Sequence, residues 1–229
     1  GIATHAAIAA FALALVAPAA FWPPMTNDSF WIDWVWADQF TAELRAGNLY
    51  PRWLPLSHGG LGSPVFYYYP PLAFYLTGAF GMVGLSTYAS IIAAFTVGLA
   101  ASGYAMLAWL KGSRFALVGA LLFMAAPYHV ADFYGRGALA EFLAIALIPL
   151  IALGIRHATA GRPLLLAISF ASMIMTHLPL ALLTSLFLNA PYAIHLSRGA
   201  PKKMLEIAIA LLVGLALSAI YLAPALLLD

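Results

Sequence analysis

Cysteine is absent from the chain, which excludes disulfides and thiolate metal sites. Charge is scarce. Only 8% of the 229 residues are Asp, Glu, Lys or Arg, against roughly 25% in an average soluble domain. A water-soluble globule of this size could not cover its surface with so few. A surplus of one sign is lacking too. The formal net charge of +2 excludes a nucleic-acid partner by bulk electrostatics. There is no P-loop and no G-x-G-x-x-G, so nucleotide binding and ATP-driven pumping are not expected. No His and Asp residues fall at a metal-ligand spacing such as H-E-x-x-H, so no metal ligands are assigned from spacing.

What is abundant is hydrophobic sequence, 64% of the chain. A spanning helix needs about 20 apolar residues, with a range of roughly 17 to 25. Candidate spans run over 2–21, 67–85, 88–110, 115–131, 138–155, 163–176, 178–196 and 204–227. The expectation is an all-α integral membrane protein, a single transmembrane domain over 1–229 with about 7–8 spans. The first run carries Pro18, lacks a basic flank and enters Phe21-Trp22-Pro23-Pro24. It is therefore read as a retained helix and not as a signal peptide. The runs around Thr176-His177-Leu178-Pro179 are either two tilted spans or one helix broken at Pro179. Gly98/Ser102 and Gly214/Ser218 place small residues four apart, which suits close helix contact in lipid.

The basic residues sort into three loops: Lys111 with Arg114, Arg156 with Arg162, and Arg198 with Lys202 and Lys203. If each intervening block crosses twice, the three loops share one face, and the positive-inside rule makes it cytoplasmic. Segments 128–137 and 176–178, with Asp229, then fall on the opposite face. Placing the long loop 22–66 there as well requires an odd number of crossings between 66 and 111, where two apolar runs sit. Either the 70–85 run dips in and returns, or the parity fails elsewhere.

Loop 22–66 holds Asp28, Asp33, Asp38, Glu43, Arg45, Arg52, His58 and most of the tryptophans. Phe30 to Ala46 suits a helix with Phe30, Trp34, Ala37 and Leu44 near one stripe and Asp33, Gln39 and Glu43 off it. Asn27-Asp28-Ser29 is placed to cap it, and Gly47 to end it at a left-handed position. Its tryptophans suggest a helix lying in the headgroup layer. Beyond it, Pro and Gly residues fix an irregular backbone around His58-Gly59-Gly60 and Tyr67-Tyr68-Tyr69-Pro70-Pro71.

Four stretches carry a family resemblance. They are Gly47-Asn48-Leu49-Tyr50-Pro51-Arg52-Trp53, then Gly60-Leu61-Gly62-Ser63-Pro64-Val65-Phe66-Tyr67-Tyr68-Tyr69-Pro70-Pro71-Leu72, then Ala126-Pro127-Tyr128-His129-Val130-Ala131-Asp132-Phe133-Tyr134-Gly135-Arg136-Gly137-Ala138-Leu139-Ala140-Glu141, and Thr176-His177-Leu178-Pro179. In these the chain resembles the 6-pyruvoyl-tetrahydropterin synthase-related bacterial membrane proteins, relatives of the YfhO-like and GT-C glycosyltransferases. The resemblance extends from Asp28 to Tyr221-Leu222-Ala223-Pro224-Ala225-Leu226. It implies a GT-C-like bundle, a cytoplasmic N-terminus, a large first external loop with membrane-parallel helices, and a cavity on the periplasmic face of a bacterial inner membrane. It implies sugar transfer from a polyprenyl-phosphate carrier, with an acid early in the first loop as base or metal ligand. The chain is then expected to be an N-terminal portion of a longer protein.

Asp28 stands nearest that acid, as base or as a helix cap. Asp33 is a second acid or metal ligand, or an exposed charge on a surface helix. Arg52, in a constrained turn, is a phosphate ligand or a snorkelling interfacial arginine. His58 is a further candidate for the substrate site, read otherwise as a loop histidine. Asp132, Arg136 and Glu141 form a cluster inside the apolar half, where ionisable groups need partners. Arg136 either meets the carrier phosphate, with Glu141 orienting it, or locks two helices. His177 lies in the cavity or simply packs. The cofactor is unknown: a divalent ion between Asp28 and Asp33 is one option, and a lipid-linked sugar serves as donor. The expected partners are membrane lipids, a polyprenyl-phosphate lipid and other membrane subunits. Two other functions compete with sugar transfer: a non-catalytic subunit that serves as an assembly scaffold, and a flippase with a path to both faces.

Overall fold

The computed structural model describes residues 1–21 and 28–227, the side chain of Asp28 excepted. Helices account for nearly all of it. They are α1 (Ile2–Val16, continued by a 3-10 turn Ala17–Ala20), α2 (Asp28–Arg45), the one-turn elements α3 (Ser57–Gly60) and α4 (Val65–Tyr68), α5 (Leu72–Met82), α6 (Thr87–Trp109), α7 (Ala116–Met124) and α8 (Pro127–Ala131). After a π turn over Asp132–Arg136 come α9 (Leu139–Ala158), α10 (Leu164–Thr176) and α11 (Leu178–Thr184). A second π turn, Ser185–Asn189, leads to α12 (Ala190–Ser197), α13 (Pro201–Leu217) and α14 (Ala219–Leu227).

Among the described residues five stretches are long and apolar enough to cross a membrane: Ile2–Ala20, Thr87–Trp109, Ala116–Arg136, Leu139–Ala158 and Leu178–Ser197. A sixth arises if α13 and α14, bent by 67° at Ser218, count as one. The protein is thus an all-α membrane protein. Two of the expected spans come out short. The run 67–85 yields α5 with 11 residues, and 163–176 yields α10 with 13. At about 1.5 Å per residue, α5 covers roughly half of a 30 Å hydrocarbon core. The prolines at 70 and 71 and the left-handed Gly84 bracket α5.

Hydrogen bonds between helices fix their directions. The Tyr88 hydroxyl at the start of α6 donates to the Ala19 carbonyl at the end of the first span, 2.7 Å away. Tyr104, late in α6, donates to the His5 carbonyl early in α1. The two run antiparallel. The end of the first span and the start of α6 therefore share one end of the bundle. Between 66 and 111, α6 is the helix long and apolar enough to cross, and α5 is not. Helices α10 and α11 run in opposite senses along α9. Leu166 packs its backbone on Gly154 near the end of α9, His177 sits by the start of α9, and Tyr192 in α12 meets Trp109 at the end of α6. Arg156 bonds the Trp109 carbonyl. The three basic loops thus gather at one end, away from the segments 128–137 and 176–178.

Helix α2 starts near its expected bounds and stops as the sequence indicates. Gly47 has φ of +91°, and Asn48 N–H bonds Glu43 O while Gly47 N–H bonds Leu44 O, a Schellman ending. The capping role of Asn27-Asp28-Ser29 falls partly outside the described residues. The amphipathic reading of α2 needs correction. Phe30, Ala37 and Phe40 are buried, but so are Asp33 and Gln39. The polar face is covered because the loop 48–64 folds back on it: Gln39 Nε2 donates to the Ser57 hydroxyl, and Gln39 Oε1 accepts from Leu56 N–H. On the apolar face Phe40, Phe66 and Phe74 meet edge-on or tilted, with Phe40–Phe66 centroids 4.8 Å apart. The small-residue pairs act as expected. A side chain at Gly98 would run into Leu143 of α9, and one at Gly214 would lie 2.9 Å from the Ala167 carbonyl of α10.

Candidate functional site

The bundle end opposite the basic loops holds a cavity of about 180 Å³. It is lined by Asp33 and Trp36 of α2, Tyr69 before α5, Arg136 of the π turn, Glu141 in the first turn of α9, and His177 at the α10–α11 break.

Local chain geometry explains each placement. The first N–H groups of a helix have no partner within it. Asp33 supplies one across the fold: its Oδ2 accepts from Leu139 N–H at 3.0 Å. This draws α2 across the start of α9. The approach is close because Gly137, at φ +65°, faces the Phe30 backbone, where a Cβ would sit 2.5 Å from Phe30 Cβ and 3.2 Å from its Cα. The π turn before Gly137 aims Arg136 back toward its own helix and forward to α9. Its Nη1 lies 2.9 Å from Asp132 Oδ1 and 2.6 Å from Glu141 Oε2. The Tyr128 hydroxyl donates to Glu141 Oε1 and lies 3.4 Å from the same Nη1. The Asp132 side chain is fully buried, that of Glu141 is 13% exposed, and that of Arg136 is 50% exposed. Thus one guanidinium reaches the open cavity while its Nη1 holds one oxygen of each of two carboxylates.

Asp33 is 4% exposed. Burial raises its carboxyl from the ordinary 3.8 to about 7. The Leu139 N–H opposes this shift, and the Asp132 carboxylate adds to it. A carboxyl so placed exchanges its proton near neutral pH. Burial lowers His177, which favours neutral imidazole, with Glu141 pulling the other way. Its Nδ1 accepts from Leu180 N–H at 3.2 Å, so it also caps α11.

Of the residues singled out from sequence, Asp33, Arg136, Glu141 and His177 line this one cavity. Asp33 is a buried cap and not an exposed charge. Two residues lie outside. Arg52 stacks on Tyr50 and Tyr67 and donates to the Ile220 carbonyl. His58 is exposed in a left-handed turn at φ +52°. The Asp28 side chain lies outside the described residues, and with it the expected pairing of Asp28 with Arg136. Among the described residues no group of three His, Asp or Glu side chains is placed to hold a metal ion; the option of a divalent ion between Asp28 and Asp33 lies outside the described residues. Sequence reasoning missed Tyr128, Tyr69 and Trp36. The signal for Tyr128 was its spacing, four residues before Asp132 and eight before Arg136 in one helical stretch.

The arrangement offers a proton acceptor, a half-exposed guanidinium and an aromatic wall in one small chamber. Compared with protein-family models, curated proteins and solved structures, the chain matches none.

Proposed function

We propose that this chamber is the reaction site of a GT-C-type transferase that moves a sugar from a polyprenyl-phosphate carrier at the external face of the membrane. The observation that carries the reading is the shared lining: a carboxyl whose pKa lies near 7 and a half-exposed guanidinium face the same cavity. By the positive-inside rule, the end bearing Lys111, Arg156 and Arg198 is cytoplasmic, and the cavity end is external. The short α5 and the α2 segment then form the large external loop.

The step assigns roles as follows. The acceptor hydroxyl gives its proton to the Asp33 carboxylate. Its oxygen bonds to the anomeric carbon while the carbon–oxygen bond to phosphate breaks. The carrier phosphate leaves with the electron pair, and the Arg136 fork, beyond the nitrogen held by Asp132 and Glu141, receives it. Trp36 and Tyr69 offer faces for the sugar ring. The ionised form of Asp33, populated around its pKa of about 7, is the one that accepts this proton.

Reconstitution tests this. Purified protein in liposomes, given a labelled polyprenyl-phosphate sugar and acceptor extract, transfers label; Asp33→Asn lowers the rate by about 10²–10⁴-fold, the usual worth of a general base. Transfer that survives the substitution removes Asp33 from the mechanism.

A second reading has its own support. Arg136 Nη1 bonds Asp132 of its own π turn and Glu141 of α9, and lies within 3.4 Å of the Tyr128 hydroxyl. In a non-catalytic scaffold subunit, this cluster would serve only to lock the π turn to α9. That reading predicts normal assembly and no turnover in the same assay.

A further inference from the structure

The basic end of the bundle has a hollow of its own, about 230 Å³, between α6, α9, the second π turn and α12. Met106, Pro149 and Ala152 form its apolar wall, and Leu188, 51% exposed, stands at its edge toward lipid. Trp109 and Tyr192 close the end nearest the basic loops, tied by a 3.3 Å bond from Trp109 Nε1 to the Tyr192 hydroxyl. Aromatic side chains of this kind mark the headgroup level of a bilayer. Arg156 is fixed to the same tryptophan. One turn beyond Ala152 on α9, it donates from Nη1 to the Trp109 carbonyl at 2.5 Å. That carbonyl is among the last of α6, which have no partner within the helix. Arg156 is an exposed residue, so the rest of its fork stays open to a headgroup.

Two features of this hollow ask for a ligand. The first is Asn189, which lines it. Its amide Nδ2 is shut off from solvent and has no hydrogen-bond partner among the described residues. A buried donor is costly to leave unmatched. By contrast, in the larger hollow between α1 and α6 the Tyr88 and Thr96 hydroxyls already bond the Ala19 and Ile92 carbonyls. The second feature is charge. No acid lies between 44 and 131 or between 142 and 205. Among the described residues none of Lys111, Arg114, Arg156 and Arg162 has an acidic partner within ion-pair distance. This end of the bundle is cytoplasmic by the positive-inside rule, and the cytoplasmic leaflet is the one whose lipid surface is negative.

We infer that this hollow is a binding site for an anionic phospholipid of the cytoplasmic leaflet. One acyl chain lies along Met106, Pro149 and Leu188, an ester carbonyl accepts from Asn189 Nδ2, and the phosphate meets Arg156. The order of these groups matches the lipid: a charged head, then ester carbonyls, then hydrocarbon. A methylene is about the size of a water molecule, whose share of liquid volume is roughly 30 Å³, so the hollow takes about seven chain carbons. The remainder of the chain lies in the bilayer. A zwitterionic lipid fits the same hollow but brings its own ammonium to an end already rich in cations, and so binds less well. The site stands apart from the chamber and does not depend on sugar transfer.

Photo-crosslinking of the full chain in nanodiscs tests the inference, with phosphatidylglycerol bearing a diazirine in one acyl chain. Labelled peptides are expected from 106–109, 148–152 and 188–192. Phosphatidylcholine with the same chain should label them roughly fivefold less, the worth of about one basic side chain at a charged surface. Label spread evenly onto other lipid-facing stretches such as 118–122 and 212–217, or equal labelling by the two lipids, overturns the site. Ala152→Phe fills the hollow and is expected to remove most of the label from 188–192. Asn189→Leu keeps nearly the same size, lacks the donor, and is expected to lower the label on 148–152; it serves alone if Ala152→Phe fails to fold. Wild-type labelling in a folded Asn189→Leu protein overturns the role of the amide, and in a folded Ala152→Phe protein overturns the hollow.

Discussion

Arg52 donates through Nη2 to the main-chain carbonyl of Ile220, 3.2 Å away and 168 residues distant in sequence. The reason lies four residues further along α14. A helical carbonyl accepts from the N–H at i+4, and for Ile220 that residue is Pro224, which has none. Arg52 meets an acceptor that the helix itself cannot satisfy. Beside it, the Tyr221 hydroxyl donates to the Tyr68 carbonyl at 3.0 Å. The two bonds tie the bent C-terminal helix to the aromatic run whose next residue, Tyr69, lines the chamber.

From this pair comes a coupling prediction. Arg52→Ala loses a charge-assisted bond and stacking, and lowers stability by about 1–3 kcal/mol. Pro224→Ala gives Ile220 an N–H partner. In the Pro224→Ala background the loss on removing Arg52 shrinks by about 1 kcal/mol. Thermal unfolding of the four proteins in one detergent measures the cycle. Additive losses would show that Arg52 does not serve that carbonyl.

Gly137 permits α2 to cross α9. An alanine there takes a left-handed conformation costing roughly 1–2 kcal/mol and presses on the Phe30 backbone at 3.2 Å. Gly137→Ala should destabilise by about 2–4 kcal/mol, against less than about 1 kcal/mol for Gly135→Ala, whose Cβ meets nothing within 4 Å. Melting temperatures of the two variants check the contrast.

The ion cluster makes an ordered pair of losses. Removing Arg136 strands the buried Asp132 carboxylate and costs about 2–4 kcal/mol, the usual penalty reduced because the arginine is half exposed. Glu141→Gln keeps the Arg136–Asp132 pair and the contact with Tyr128, and costs about 1 kcal/mol. A larger loss for Glu141→Gln than for Arg136→Ala would contradict the assigned partners.

Asp33 sets two pH dependences of opposite sense. Its folded pKa, about 7, lies above the ordinary 3.8. Its contribution to stability is therefore fully present below 3.8 and is lost as pH rises through 7. Catalysis by the carboxylate rises across the same upper limb. Asp33→Asn flattens the stability slope between those values, which denaturation at stepped pH measures. In wild type, the limb in kcat lies above that in kcat/KM, because a bound donor phosphate disfavours the second negative charge.

The absence of cysteine makes sidedness directly measurable. Leu61→Cys and Ser113→Cys both replace exposed residues. An impermeant maleimide added outside intact cells should label the first and spare the second. The reverse pattern would invert the assigned orientation.

Composition and hydrophobic runs announced a helical membrane protein, because lipid-facing helices need no charged surface. The basic loops and the small-residue contacts were equally legible. The failures have physical causes. The apolar run at 67–85 looks like a span, yet prolines 70 and 71 and Gly84 trim it to a helix of 11 residues, too short to cross. Asp33 looked exposed because helical periodicity describes one helix, and its burial comes from α9 and the loop folded over α2. Arg52 looked like a phosphate ligand because the link to Pro224 crosses most of the chain. Arg136, Glu141 and His177 were found because charge or imidazole within apolar sequence is costly and so conspicuous. Tyr128 and Trp36, ordinary residues at an interface, gave no such signal.

The central claim is that a carrier phosphate binds at Arg136 with its anomeric carbon toward Asp33. Cryo-electron microscopy of the protein in nanodiscs with a non-transferable polyprenyl-phosphonate sugar tests it most directly. The account predicts phosphonate oxygens within hydrogen-bond reach of the Arg136 guanidinium and the sugar ring between Trp36 and Asp33. A phosphonate bound at the basic end, or a chamber left empty at saturating ligand, would contradict it.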